Sequence, residues 1–339
     1  MKIEEVFNKK NNGVYVILEM ANAHDGSAQI AGQIVDAAAD AGADAIKFQL
    51  FTADELAVPD FSYYELYKKL QMPLETWKGL VKHAKDKGLD VLFDVFGLES
   101  ANTAFDLNAA GIKVHNADIS NYELLRSIAK MKLPVILSCG GSYVSEIHKA
   151  MDILKKNGTD KIMLMFGIQS YPTQPEDSFL AKIQLLNDEF SVPVGFAPHL
   201  EGGSQEAVLV PGLAVAAGAK AVEVHLTLDR SKKLPDYFSS LEPGELKQML
   251  SAVNMASKSR GERSLELSKK ETEYRQKHKK FLTASESIKA GEKISYKNVA
   301  LKRINDSGED NLTEIDPFIG KTAVAAIEKY SPVKRKDLK

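Results

Sequence analysis

The stretch VYVILEMANAHDGS, residues 14–27, is a strand candidate (14–21) running into a polar turn. A doubly wound nucleotide-binding sheet would place a G-x-G-x-x-G run at such a first turn. EMANAHDGS has none, which argues for the other common βα architecture. Working outward, the same alternation of short β-branched runs and amphipathic stretches continues to about residue 260. Further strand candidates are AIKFQLF (45–51), DVLFDVF (90–96), GIKVHNA (111–117), PVILSCG (134–140), KIMLMFG (161–167), VPVGFAP (192–198) and AVEVHLTL (221–228). SAQIAGQIVDAAADAGA and PLETWKGLVKHAKDKG are helical patterns, the second stopping at Gly88, a residue suited to a left-handed C-terminal position. Eight βα repeats in about 245 residues match a (β/α)8 TIM barrel in count and length.

After residue 262 the texture changes. SLELSKKETEYRQKHKK is charged and reads as a linker, partly helical, over 263–279. The last segment, 280–339, brings short alternating runs and the turn signal KAGE, as in a small β-rich domain. The expected layout is therefore a barrel over 1–262, a linker over 263–279 and a second domain over 280–339.

Of the 339 residues, 44% are hydrophobic and 27% charged, with a formal net charge of −2. There is no basic excess to suggest nucleic acid or an anionic membrane as partner. The single cysteine, Cys139, excludes an intrachain disulfide and suits a reducing compartment. No apolar run approaches the roughly 20 residues of a membrane span, so the expected location is the cytoplasm.

Catalytic side chains of a barrel gather at the C-terminal ends of its strands. Polar residues collect there: Glu19; Lys47 and Gln49; Lys113, His115, Asn116 and Asp118; Ser138; Gln169, Ser170 and Tyr171; His199; Glu223 and His225. Burying Glu223 and His225 inside an apolar strand is costly unless they are paired or bind something. His199 and His225, from adjacent strands, are either hydrogen-bonded structural residues or two ligands of a divalent metal with open positions. Lys47 and Lys113 read as Schiff-base formers, anion holders or solvent-reaching residues. Two lysines at one mouth favour an anion, which would relieve their repulsion. His83, His148 and His278 fall on helical or linker patterns and read as solvated; the Met and Phe of IMLMFG read as core.

Taken in order, EMANAHDGS, DAAADAGADAIKFQLF, NADISNYELL, PVILSCGG, QSYPTQPED, VGFAPHLEGG, EVHLTLDR and PDYFSSLEPGEL resemble the N-acetylneuraminate (sialic acid, nonulosonic acid) synthase family. ESIKAGEKISYKNVALKR and FIGK resemble its C-terminal SAF, or antifreeze-like, domain. The resemblance implies a transferase that condenses phosphoenolpyruvate with an N-acyl amino sugar aldehyde, such as N-acetylmannosamine. The product would be a nine-carbon 2-keto acid, with phosphate released. It implies His199 and His225 as ligands of manganese, with magnesium or cobalt as alternatives, and Glu19 as the residue that orients or deprotonates water. Gln49, Tyr171, Glu223 and Asp236 match acceptor-binding positions, Glu223 being with Glu19 a catalytic candidate as well, and Lys47 and Lys113 match donor-binding ones. Arg303 matches an SAF arginine that reaches the partner's site in a domain-swapped homodimer.

The chain also departs from the family pattern. Hydroxyls that usually contact phosphoenolpyruvate are replaced by Val95, Asn116 and Ala197, while Ser138 is kept. Pro198 and Val224 stand where polar or basic residues are common, and RINDS replaces an arginine-proline-glycine run. Three readings follow: a synthase for an unusual sugar, a homologue with the metal and sugar site but a different donor, or a non-catalytic sugar-binding protein. The acceptor itself is not legible.

Overall fold

The computed structural model describes residues 1–8, 11–261, 264–305, 308 and 310–339. Its central sheet consists of parallel strands β1 (Tyr15–Glu19), β2 (Ala45–Leu50), β3 (Asp90–Val95), β4 (Gly111–Val114), β5 (Val135–Ser138), β6 (Ile162–Phe166), β7 (Val194–Phe196) and β8 (Ala221–Leu226). Each strand pairs with the next, and β1 also pairs with β8. That last pairing closes the sheet into a (β/α)8 barrel. A two-residue strand, β9 (Ser240–Leu241), extends β8 in parallel; it is too short to show as an alternating run. Gly88 takes φ 84° just after the helix Leu74–Asp86, the left-handed stop expected there.

Side chains alternate across a strand, so each strand offers one face to the barrel interior and one to the helices. Tyr15, Ile17, Ala45, Leu92, Ile136, Met163, Met165, Ala197 and Ala221 form the inward cluster. Val16, Leu18, Phe48, Phe93, Val95 and Val224 belong to the larger outward cluster shared with the helices. The helix Ile3–Val6 adds Ile3 and Val6 to the inward cluster and covers the end where the strands begin. There Tyr15 Oη and the Ile3 N–H both donate to Asp90 Oδ2, at 2.9 and 2.8 Å, and Lys2 pairs with Asp90 Oδ1 at 2.9 Å. The lower half of the barrel is thus filled by apolar side chains and one satisfied polar knot, leaving the opposite end for chemistry.

Contacts divide the chain into Met1–Glu262 and Arg263–Lys339. The second unit opens with a helix, Lys269–His278, capped by Ser268 and bearing no buried residue. An antiparallel pair follows, β10 (Phe281–Ala284) with β11 (Val299–Lys302). Leu282, Ile288, Ile294, Val299, Phe318 and Val333 give it a core of its own. Gly291, in the KAGE turn, has φ 84°. Among the described residues no helix is long and apolar enough to cross a membrane.

Tyr15→Phe removes one donor from buried Asp90 and is expected to destabilise the barrel by about 1–3 kcal/mol. A urea unfolding series should show a lower midpoint at constant slope; an unchanged midpoint would mean this bond adds nothing net.

Candidate active site

Five contiguous strands bring charged side chains to the interior just below the barrel mouth. Register places Glu19 beside Lys47 and His225, Ile17 beside Glu223, and Asp94 between Gln49 and Lys113. Lys47, Glu19 and Asp94 are each 1% exposed, Glu223 3% and Lys113 4%. Lys47 Nζ pairs closely with Glu19 Oε2 and Asp94 Oδ2 and lies 3.5 Å from Glu223 Oε1. Lys113 Nζ pairs with Glu223 Oε1 at 2.7 Å and lies 3.6 Å from Asp94 Oδ2. Isolated charges at this depth would be costly, and mutual pairing is what permits them.

The protonation states follow from that network. Burial alone would lower the Lys47 pKa, but Asp94, Glu19 and Glu223 raise it well above the ordinary lysine value. Burial would raise Asp94 and Glu223, yet Lys113 and Lys47 hold both below the usual carboxylate range. Glu19 differs: burial outweighs Lys47, and its pKa is pushed up to about 7. Its Oε1 also accepts the Ala21 N–H at 2.6 Å, which fixes the carboxylate. Three carboxylates thus surround two lysines, and the one with a near-neutral pKa is Glu19. The repulsion between Lys47 and Lys113, expected to call for an external anion, is already relieved by the chain's own carboxylates.

Beside this cluster the His199 and His225 rings lie 5.2 Å apart, centre to centre, and the Tyr171 ring meets His199 edge-on at 5.2 Å. Burial lowers the pKa of both histidines, His199 well below the ordinary value, so both imidazoles are neutral at pH 7. The Nδ1 atoms of both are buried without a hydrogen-bond partner. Neutral rings with unused Nδ1 atoms, one on β8 and one just past the end of β7, fit a divalent metal. Among the described residues no group of three or more His, Cys, Asp or Glu is placed to hold a metal ion. Cys139, buried and hydrogen-bonded to Met165 O, has its thiol pushed up to about 12 and offers no nucleophile.

The rim has two sides. On one, Asn22 links two of the expected acceptor residues: its Nδ2 donates to Gln49 Oε1 and its backbone N–H to Asp236 Oδ2, both at 3.2 Å. On the other, the half-buried Asn116 donates its side-chain amide to Gly140 O at 2.9 Å, and Ser138 sits half-buried at the end of β5. A Cβ on Gly140 would lie 1.7 Å from Gly167 O, and one on Gly167 2.1 Å from Ala197 O. Only glycine lets the ends of β5, β6 and β7 converge this closely. His115 Nε2 is 3.0 Å from Gln169 Oε1, tying β4 to the loop that carries Tyr171.

The expected residues therefore divide clearly. Glu19, Lys47, Lys113 and Glu223 meet in one buried network, with His199 and His225 beside it. Gln49, Asp236, Tyr171, Asn116 and Ser138 occupy the rim. Arg303 is exposed in the second unit, immediately after β11. The strand register corrects one sequence reading: Val95 faces the helices, and the inward residue at that level is Asp94. Val224 is likewise outward, so its replacement of a basic residue does not alter the interior. Ala197 remains inward. Asp94 was missed, although DVLFDVF carried the signal: Asp90, Leu92 and Asp94 share one parity.

A barrel with this mouth can be set against known proteins. The model of the NeuB family matches residues 34–264. The chain belongs to the NeuB family. It is 32% identical over 324 residues to the N,N'-diacetyllegionaminic acid synthase of Campylobacter jejuni, spanning 91% of this chain and 95% of that protein. A pseudaminic acid synthase of the same species is 31% identical over 340 residues, spanning 96% and 97%. The solved N-acetylneuraminic acid synthetase of Leptospira borgpetersenii superposes with a TM-score of 0.73 at 31% identity, covering 78% of this chain and 92% of that one. These relatives are synthases, and this NeuB-family chain is an enzyme of the sialic acid synthase-like kind.

A further buried histidine of this NeuB-family barrel, His24, is held by local contacts. His24 is 1% exposed, its Nδ1 accepts the Gly26 N–H at 3.0 Å, and its ring stands edge-on to Trp77. Burial lowers its pKa to about 4, against a weaker opposing pull from Asp25 and Asp236. The unfolded chain binds that proton near pH 6.5, so its contribution to stability is complete above that pH and is lost as pH falls towards 4. The loss amounts to about 3 kcal/mol. His24→Asn keeps an acceptor for the Gly26 N–H but does not titrate. Urea unfolding at pH 7 and pH 4.5 should show a smaller pH-dependent loss in the variant; equal losses would refute the assignment.

Proposed function

We propose that this protein is a nonulosonic acid synthase, a transferase that condenses phosphoenolpyruvate with an N-acyl amino sugar aldehyde. The observation that carries this reading is the juxtaposition of the Lys47–Lys113 carboxylate network with two neutral histidines, at the catalytic end of a NeuB-family barrel. In the reaction the donor's methylene carbon bonds to the aldehyde carbon, whose oxygen takes up a proton. Water adds to the donor's C2, and phosphate leaves with the electron pair of its bond to that carbon. The two Campylobacter relatives, synthases of N,N'-diacetyllegionaminic acid and of pseudaminic acid, support an N-acylated amino sugar as the acceptor class.

Each residue then has a role that follows from its surroundings. Lys47 and Lys113 hold the donor's anionic groups, with Ser138 and Asn116 on the same side of the rim. Glu19, with its pKa near 7 and its carboxylate anchored by Ala21, is suited to orient the attacking water and take its proton. Gln49, Tyr171, Asp236 and Glu223 hold the acceptor. A divalent ion on His199 and His225, manganese first and magnesium or cobalt as alternatives, would supply Lewis-acid polarisation of the acceptor's carbonyl. In the same reading the second unit is an SAF domain, and exposed Arg303 serves a second copy's acceptor site in a domain-swapped homodimer.

The test is phosphate release from phosphoenolpyruvate with manganese and a panel of N-acyl amino sugar aldehydes. Release should require one acceptor and fall about a hundredfold or more in His225→Ala, since even removing an outer-shell partner of a metal ligand typically costs 10–100-fold. Release that no acceptor stimulates, or that His225→Ala leaves intact, would refute the reading.

A further inference from the structure

We propose that Asp94 is a built-in competitor for the donor's anionic groups and therefore sets how tightly a multiply charged donor binds. The inference rests on the reading that Lys47 and Lys113 receive that donor. A lysine ammonium has three N–H donors, and Lys47 already faces three carboxylates: Glu19, Asp94 and Glu223. Lys113 faces two of the same groups, Glu223 and Asp94. At Lys47 an incoming phosphate or carboxylate must displace one of its three partners.

The three carboxylates are not equivalent. Glu19 is tied to the Ala21 N–H as well as to Lys47. Glu223 stands on β8, two residues before His225, on the side of the histidine pair. Asp94 stands on β3, between the strands that carry Lys47 and Lys113. Its Oδ2 faces both ammonium groups, while its Oδ1 is buried without a hydrogen-bond partner. Glu223 Oε1 also faces both ammonium groups, but Asp94 does so from the strand between them, away from the histidines, the bridging position that a donor's anion would take. At 1% exposure its charge is poorly screened by solvent, and like charges brought together in such a place repel strongly. With Asp94 neutralised, two lysines would face two carboxylates, which removes the excess negative charge that an incoming anion must meet.

Calorimetric titration of the full-length protein and Asp94→Asn with phosphoenolpyruvate, and separately with inorganic phosphate, tests this directly. The variant should bind both anions about tenfold or more tightly than the parent, with folding checked by circular dichroism. A folded variant that binds them no more tightly overturns the proposal, and Asp94→Ser carries the same test should the asparagine variant not fold. Product formation is scored separately. Tighter binding without product from either protein upholds the role of Asp94 while removing the synthase reading. Product from the parent without a change in affinity upholds the synthase and removes the competitor.

Discussion

The ammonium of Lys47 is nearly sealed from solvent, and the catalytic end of the barrel is organised around that fact. A charge at this depth persists only if opposite charges reach it, and they come from three different strands. Glu19 arrives from β1, Asp94 from β3 and Glu223 from β8. Glu19 and Asp94 reach it from the strands paired with β2 on either side, and Glu223 does so because the sheet closes, bringing β8 against β1. The network therefore couples closure of the fold to the chemistry of the mouth.

The same crowding separates the protonation behaviour of the three carboxylates. Asp94 and Glu223 lie close to Lys113 as well as Lys47 and stay ionised. Glu19 is buried, with Lys113 acting on it only weakly and two carboxylates opposing Lys47, and its pKa rises towards neutrality. One residue type thus acquires two behaviours from position alone, as acid–base catalysis at neutral pH requires. The histidines next to the network are kept neutral by burial, and the Nδ1 atom of each is without a hydrogen-bond partner.

The opposite side of the mouth depends on backbone rather than charge. Gly140 and Gly167 allow three strand ends to close in where any side chain would collide with a carbonyl. Thr173 N–H donates to His199 O at 2.8 Å, and Ser239 Oγ to the same carbonyl at 2.8 Å. The loops after β6 and β8 therefore brace the strand-seven histidine. Its ring position is a product of neighbouring backbone, which no local sequence pattern encodes.

Much of the molecule was legible before any coordinates. The count and spacing of βα repeats, the absence of a glycine-rich first turn and the stop at Gly88 depend on local chemistry, and the barrel follows from them. The polar residues at strand ends were legible as a set, because alternation along a strand is a local property. What only the tertiary structure decided is which side chains meet. That Asp94 rather than Val95 faces inward depends on the register of β3 between β2 and β4. That Lys47 and Lys113 also share Glu223 depends on closure through β1 and β8, contacts between residues as far apart as 19 and 225. A sequence records which charges are present; their energies depend on burial and distance, and those exist only once the barrel has closed.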